Sequence, residues 1–138
     1  MITDWSAQIP FHELSSPDLP DTPGVYVVFD GDKLLYVGMA GRDGRGSLRR
    51  RLRDHRDGNM VNMLKQYLWF ALVQHLDSEP ARTPQEAARR CRAFMMSRLS
   101  FRYLTCADGA HARAVESEIK RGKSKWGTPT LNGTGFEA

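Results

Sequence analysis

The sequence predicts an α/β (α+β) fold: a small, mainly antiparallel sheet with helices against it, in the order β-β-α-α-α-β-α. Three observations carry that expectation. Gly24–Asp30 (GVYVVFD) and residues 33–37 (KLLYV) are rich in β-branched and aromatic residues, and Gly31-Asp32 alone joins them, which is hairpin spacing. Several later segments combine apolar runs with helix-capping residues. One isolated alternating run, residues 100–106 (SFRYLTC), supplies a third strand.

Each element follows in order. Residues 1–23 hold Pro10, Pro17, Pro20 and Pro23 with serines and aspartates between them, and read as an irregular lead-in. A glycine-rich stretch, 38–46, follows the hairpin. Ser47 is a good N-cap for a helix reaching about Asp57, and Gly58 ends it. Residues 60–76 are mostly apolar and read as helix, with WFALV a short-strand alternative. Residues 77–84 form a loop. Thr83 caps a helix over 84–99 with Pro84 at its first position. A last helix runs from Asp108 or Gly109 to about Arg121, and the rest is loop-like. The expected domain spans 24–132, with a tail at 133–138.

Composition bounds the function. A chain of 138 residues and 15.6 kDa fits one domain that can bury a core without staples. At 41% hydrophobic residues it is not a disordered tail. No apolar run has membrane-spanning length, and the opening MITDWSAQIP lacks a basic region followed by an apolar one. No membrane partner and a cytoplasmic location are therefore expected. Cys91 and Cys106 are the only cysteines and form no CxxC, which argues against a disulfide framework or zinc knuckle.

Charge is the stronger signal. The net charge is +4, but residues 1–32 hold six acids and no Lys or Arg, leaving 20 bases against 10 acids in the remainder. Arg42, Arg45, Arg49, Arg50, Arg51, Arg53 and Arg56 crowd residues 42–56. Such a basic body expects a polyanion, most often nucleic acid.

Three constellations can carry chemistry. Tyr26 and Tyr36 stand on adjacent hairpin strands beside Gly24 and Gly38, so they can share one face. A phenol can orient a water or take its proton if cations lower its pKa, although strand tyrosines are more often packing residues. On the arginine helix, Leu48 and Leu52 mark the buried stripe, Arg51 and His55 border it, and Arg49, Arg50, Arg53 and Arg56 turn toward solvent. On the last helix, Glu116 and Glu118 flank the stripe of Ala112, Val115 and Ile119, and geometry does not choose between them. Either can hold one Mg²⁺ with water and phosphate as the other ligands; an ion pair of Glu116 with Lys120 is the plainer reading.

The order of these signals resembles the GIY-YIG nuclease family. Gly24-Val25-Tyr26, Tyr36-Val37-Gly38 and Leu48-x-x-Arg51-x-x-x-His55 follow its motifs, and the preceding Pro23 is similar to the opening of its UvrC branch. Glu116-Ser-Glu-Ile-Lys and Pro129-Thr-Leu-Asn132 resemble its later segments. The match covers 23–56 and 110–132, leaving 59–99 as a family-variable helical insertion. The resemblance implies a three-stranded antiparallel sheet flanked by helices, and hydrolysis of a DNA phosphodiester with one Mg²⁺ or Mn²⁺. It implies that Tyr26, Tyr36, Arg51, His55, Glu116 and Asn132 are the site residues, with Glu116 as metal ligand and Arg51 as transition-state arginine. Nucleic-acid contacts are expected from Arg42, Arg45, Arg49, Arg50, Arg53, Arg56, Lys120, Lys123 and Lys125. The alternatives are a non-cutting nucleic-acid-binding module of the same fold and a structural protein with a basic surface. No helix-turn-helix or zinc finger aims the chain, so specificity falls to 59–99, an oligomer or a targeting partner protein.

Overall fold

In a computed structural model, which describes residues 5–41 and 46–132, four strands form one antiparallel sheet. They are β1 (Ile9–Pro10), β2 (Gly24–Asp30), β3 (Lys33–Ala40) and β4 (Leu99–Thr105), in the spatial order β1-β4-β2-β3. Four α-helices complete the fold: α1 (Leu48–Asp57), α2 (Met63–Ala71), α3 (Pro84–Arg98) and α4 (Gly109–Lys120). Short 3₁₀ turns sit at Phe11–Glu13, Ser16–Asp18 and Val73–His75.

The sheet therefore has four strands rather than the expected three. The extra strand lies inside the proline-rich lead-in, where Ile9 pairs with Phe101 and Pro10 with Ser100. Proline is tolerated there because an edge strand leaves one side unpaired. The lead-in is not loose. Phe11, Leu14 and Leu19 are buried in the core, and the Thr22 and Pro20 carbonyls accept the first N–H groups of α1, from Leu48 at 2.9 Å and Arg49 at 3.0 Å. Those helix-end donors would otherwise lack partners.

The hairpin is longer than expected. Gly38, Met39 and Ala40 belong to β3, because Tyr26 pairs with Gly38 and Gly24 with Ala40. The caps of α1 and α3 follow the sequence, Ser47 accepting from Arg50 and Thr83 from Glu86; Asp108, one of two expected starts of the last helix, caps α4 by accepting from His111. WFALV is not a strand; it lies in the end of α2 and the 3₁₀ turn after it.

Two apolar clusters cover the two faces of the sheet. Tyr26, Val28, Tyr36 and Phe101 pack with Leu48 and Leu52 of α1, Leu64 and Leu68 of α2 and Met95 of α3. Val25, Val27, Val37 and Leu104 pack with Ala112, Val115 and Ile119 of α4. Each fully buried Leu or Phe contributes roughly 1.5–3 kcal/mol. The 59–99 stretch, unmatched by any motif, thus closes the core over the tyrosine face. No helix among the described residues is long and apolar enough to cross a membrane.

Candidate active site

The hairpin register sets the first part of the site. Val28 pairs with Tyr36 and Tyr26 with Gly38, so both tyrosines emerge on the face under α1, their ring centroids 6.3 Å apart. Gly38 is required by close approach: a Cβ there would collide with the Tyr26 hydroxyl.

Helix α1 lays its charged groups beside these rings. His55 is fully buried, deeper than its expected place at the stripe's border, and its Nε2 meets the Tyr26 hydroxyl. Its Nδ1 lies 2.9 Å from Oδ1 of Asn62, the N-cap of α2. That Oδ1 also accepts the Lys65 backbone N–H at 3.1 Å, which fixes the orientation of the Asn62 amide. His55 must then carry its proton on Nδ1, leaving Nε2 to accept the Tyr26 O–H. The phenol proton is thus committed to His55, which leaves the hydroxyl oxygen to accept from Arg51.

Burial is the main influence on both groups. It holds the His55 pKa down at about 3, with Arg51 and Lys65 adding to the effect and Asn62 opposing it. Burial, then the neighbouring Tyr36, pushes Tyr26 well above the usual phenol value, and Arg51 offsets only part of that. Tyr36 is raised for the same first reason, and Arg51 again lowers it. At neutral pH the site therefore holds two protonated phenols and a neutral imidazole, with Arg51 favouring phenolate.

A pH dependence follows. The unfolded chain protonates His55 near its ordinary 6.5, but the folded protein does so only near about 3. Between those values the unfolded state binds more protons, so stability falls as pH drops through that window. Above 6.5 the histidine is neutral in both states and has no effect. Between pH 7 and pH 5 this group should remove about 2 kcal/mol. Urea unfolding at both pH values measures the loss, and His55→Gln should shrink the difference by that amount.

Arg51 is exposed along α1, yet its guanidinium reaches the buried Tyr26 hydroxyl and acts on both phenols. Partial burial pulls its pKa down, while Tyr26 and Tyr36 outweigh that and raise it. From the opposite face of the sheet, α4 brings Glu116, only 7% exposed, whose carboxylate raises both phenols. Lys120 lies 3.8 Å from Glu116, the expected i, i+4 pair. Glu118 is exposed and pairs instead with Arg121 and Lys123. Asn132 clamps the segment after α4 to β3: it accepts the Val37 N–H at 2.7 Å and donates to the Val37 carbonyl at 2.8 Å, next to Tyr36.

The expected phosphate contacts divide. Arg42 and Arg45 lie outside the described residues. Arg50 and Arg53 are exposed, and no ion pair among the described residues engages them. Arg49 and Arg56 are held inward rather than turned to solvent: Arg49 donates to the Leu19 carbonyl at 3.0 Å, and Arg56 donates to the Leu14 carbonyl at 3.0 Å and grips Asp57. They pin the lead-in to α1. Lys123 and Lys125 gather beyond α4, beside Glu118 and Trp126.

The chain matches no protein-family model, no curated protein and no solved structure. What the site can do rests on its own geometry.

Sequence reasoning missed three contributors, all from 59–99. Asn62 fixes the histidine tautomer. The Tyr67 ring stands 6.1 Å from Tyr36. Lys65 is fully buried, and its ammonium donates to the carbonyls of His55 (2.8 Å), Arg56 (2.8 Å) and Gly58 (2.7 Å), closing the end of α1. Burial pulls its pKa to about 8, so it stays mainly cationic at neutral pH. A lone lysine inside the apolar run MLKQYLWF was the available signal.

Proposed function

We propose that this chain is a metal-dependent DNA endonuclease of the GIY-YIG type. The observation that carries the reading is the Tyr26–Tyr36–His55 cluster, with the Tyr26 hydroxyl on His55 Nε2 and the phenol rings 6.3 Å apart, under the electrostatic influence of Arg51 and Glu116. A cation, a carboxylate and two phenols are the groups that phosphodiester hydrolysis needs.

The donor set bears on the metal. Among the described residues no group of three or more His, Cys, Asp or Glu side chains converges. Glu116 is the carboxylate that acts on both phenols, and a single carboxylate suits a Mg²⁺ or Mn²⁺ ion that keeps its waters and takes further ligands from phosphate. When bound, such an ion supplies neutralisation of phosphate charge.

The chain's own residues do the rest. Tyr26, with Tyr36 beside it, orients the attacking water and takes its proton as its own hydroxyl proton passes to Nε2 of His55. His55, locked by Asn62 with Nε2 unprotonated, is the acceptor for that Tyr26 proton. Arg51 lowers the phenols and meets the charge that grows on the phosphate. Arg50 and Arg53 steer the DNA backbone. Asn132 fixes the β3 strand beneath Tyr36. The test is nicking of supercoiled plasmid in Mg²⁺ or Mn²⁺ with EDTA as control; salt-sensitive binding without cutting would instead favour the non-cutting module.

A further inference from the structure

On the sheet face away from the tyrosines, Trp5 and Trp126 meet edge to face with centroids 5.1 Å apart. Together with Val115 and Ile119 of α4 they border a cavity of about 410 Å³. That lies within the ~300–1,000 Å³ range of small-ligand sites. Lys123, Lys125 and Glu118 also line it. The Lys125 ammonium is 5.5 Å from the Trp126 centroid, and the Arg102 guanidinium, reaching from β4, is 6.0 Å from it. The Arg102 Nε is buried with no hydrogen-bond partner among the described residues. An open groove of about 580 Å³ continues along α4, sharing Ala114 and Glu118 with the cavity and carrying Arg113 and Arg121.

Indole walls favour a planar, aromatic ligand. The surrounding lysines and arginines repel a cation and leave a fatty chain no use for the charge. A base attached to phosphates satisfies both. A base stacked inside a duplex presents no free face, so the base must be unpaired.

We propose that the outer side of α4 is a second nucleic-acid site, taking an unpaired base of single-stranded DNA into the cavity against the Trp5–Trp126 pair, with the flanking phosphates along Lys123, Lys125, Arg121 and Arg113. The choice of DNA, and the use of this site to select substrates with a single-stranded arm, rests on the nuclease reading. The binding itself is measured without cleavage.

The experiment titrates full-length Glu116→Gln protein with an oligothymidylate of about 12 nucleotides, a length within the range one such surface holds. Anisotropy and tryptophan fluorescence are both followed. A blunt duplex is the comparison, and thermal melts check each variant. The oligomer should bind with quenching. Trp5→Ala and the double variant Lys123→Glu/Lys125→Glu, each added to the Glu116→Gln protein, should each weaken it about tenfold, a typical loss of one stacking contact. The duplex should weaken less, and adding Arg92→Ala, an exposed cation on α3 across the sheet, should leave oligomer binding unchanged. Absence of quenching, unchanged affinity in a folded Trp5→Ala protein, or equal losses for oligomer and duplex would overturn the proposal. If Trp5→Ala fails to fold, the lysine variant decides alone. Oligomer binding of this kind in a wild-type protein that never nicks plasmid would keep this site and remove the nuclease. Nicking without quenching would do the reverse.

Discussion

Arg51→Ala and Glu116→Gln should each slow metal-dependent plasmid nicking by on the order of 10²–10³, the usual effect of removing one group that stabilises developing charge. Neither should disturb the fold much. Arg51 is exposed and lies outside both apolar clusters. Glu116→Gln keeps size and shape, giving up only a 3.8 Å pairing with half-exposed Lys120. Arg51→Lys should recover little, because an ammonium lacks the guanidinium's fork of donors. Single-turnover rates alongside unfolding midpoints measure both halves of the expectation. A variant that cuts at the wild-type rate would remove that residue from the mechanism.

The largest stability effect belongs to Lys65. Its ammonium satisfies three carbonyls at the C-terminal end of α1, where the helix dipole also favours a cation. Lys65→Met fills nearly the same volume but leaves those oxygens without a donor. A buried acceptor left unpaired costs roughly 1–3 kcal/mol. Relief of the ammonium's desolvation, evident in its lowered pKa, offsets part of the sum. A net loss of about 3 kcal/mol is expected, read from urea unfolding at pH 7. The damage should also reach the site, because one of the released carbonyls belongs to His55, whose ring holds the Tyr26 hydroxyl. A loss below about 1 kcal/mol, the worth of an ordinary hydrogen bond, would mean that water replaces the ammonium there.

Much of the fold was legible because its signals are local. Five β-formers in a row, a two-residue turn and the caps Ser47 and Thr83 each act within a few positions of one another. Ile9–Pro10 was hidden because proline ordinarily argues against a strand, and only the pairing with β4 shows it to be an edge. The two tyrosines, Gly38, Arg51 and His55 sit on a short hairpin-to-helix segment whose spacings map directly onto space. Their environment was not legible. The wheel placed His55 at the border of the stripe, yet α2 closes over it and buries it. Asn62 looks like an ordinary cap, and its second bond to His55 depends on how α2 docks against α1. The same holds for Arg49 and Arg56, which the helical period turns outward and the lead-in recruits.

The most direct measurement is single-turnover plasmid nicking by wild-type and Tyr26→Phe proteins in Mg²⁺ or Mn²⁺, with DNA binding followed in parallel. Phenylalanine keeps the buried ring and removes only the hydroxyl that His55 holds. The account predicts metal-dependent nicking by the wild type, lowered on the order of 10²–10³ in Tyr26→Phe, with DNA binding unchanged. Wild-type protein that cuts no DNA with either metal, or Tyr26→Phe that cuts as fast as wild type, would contradict it.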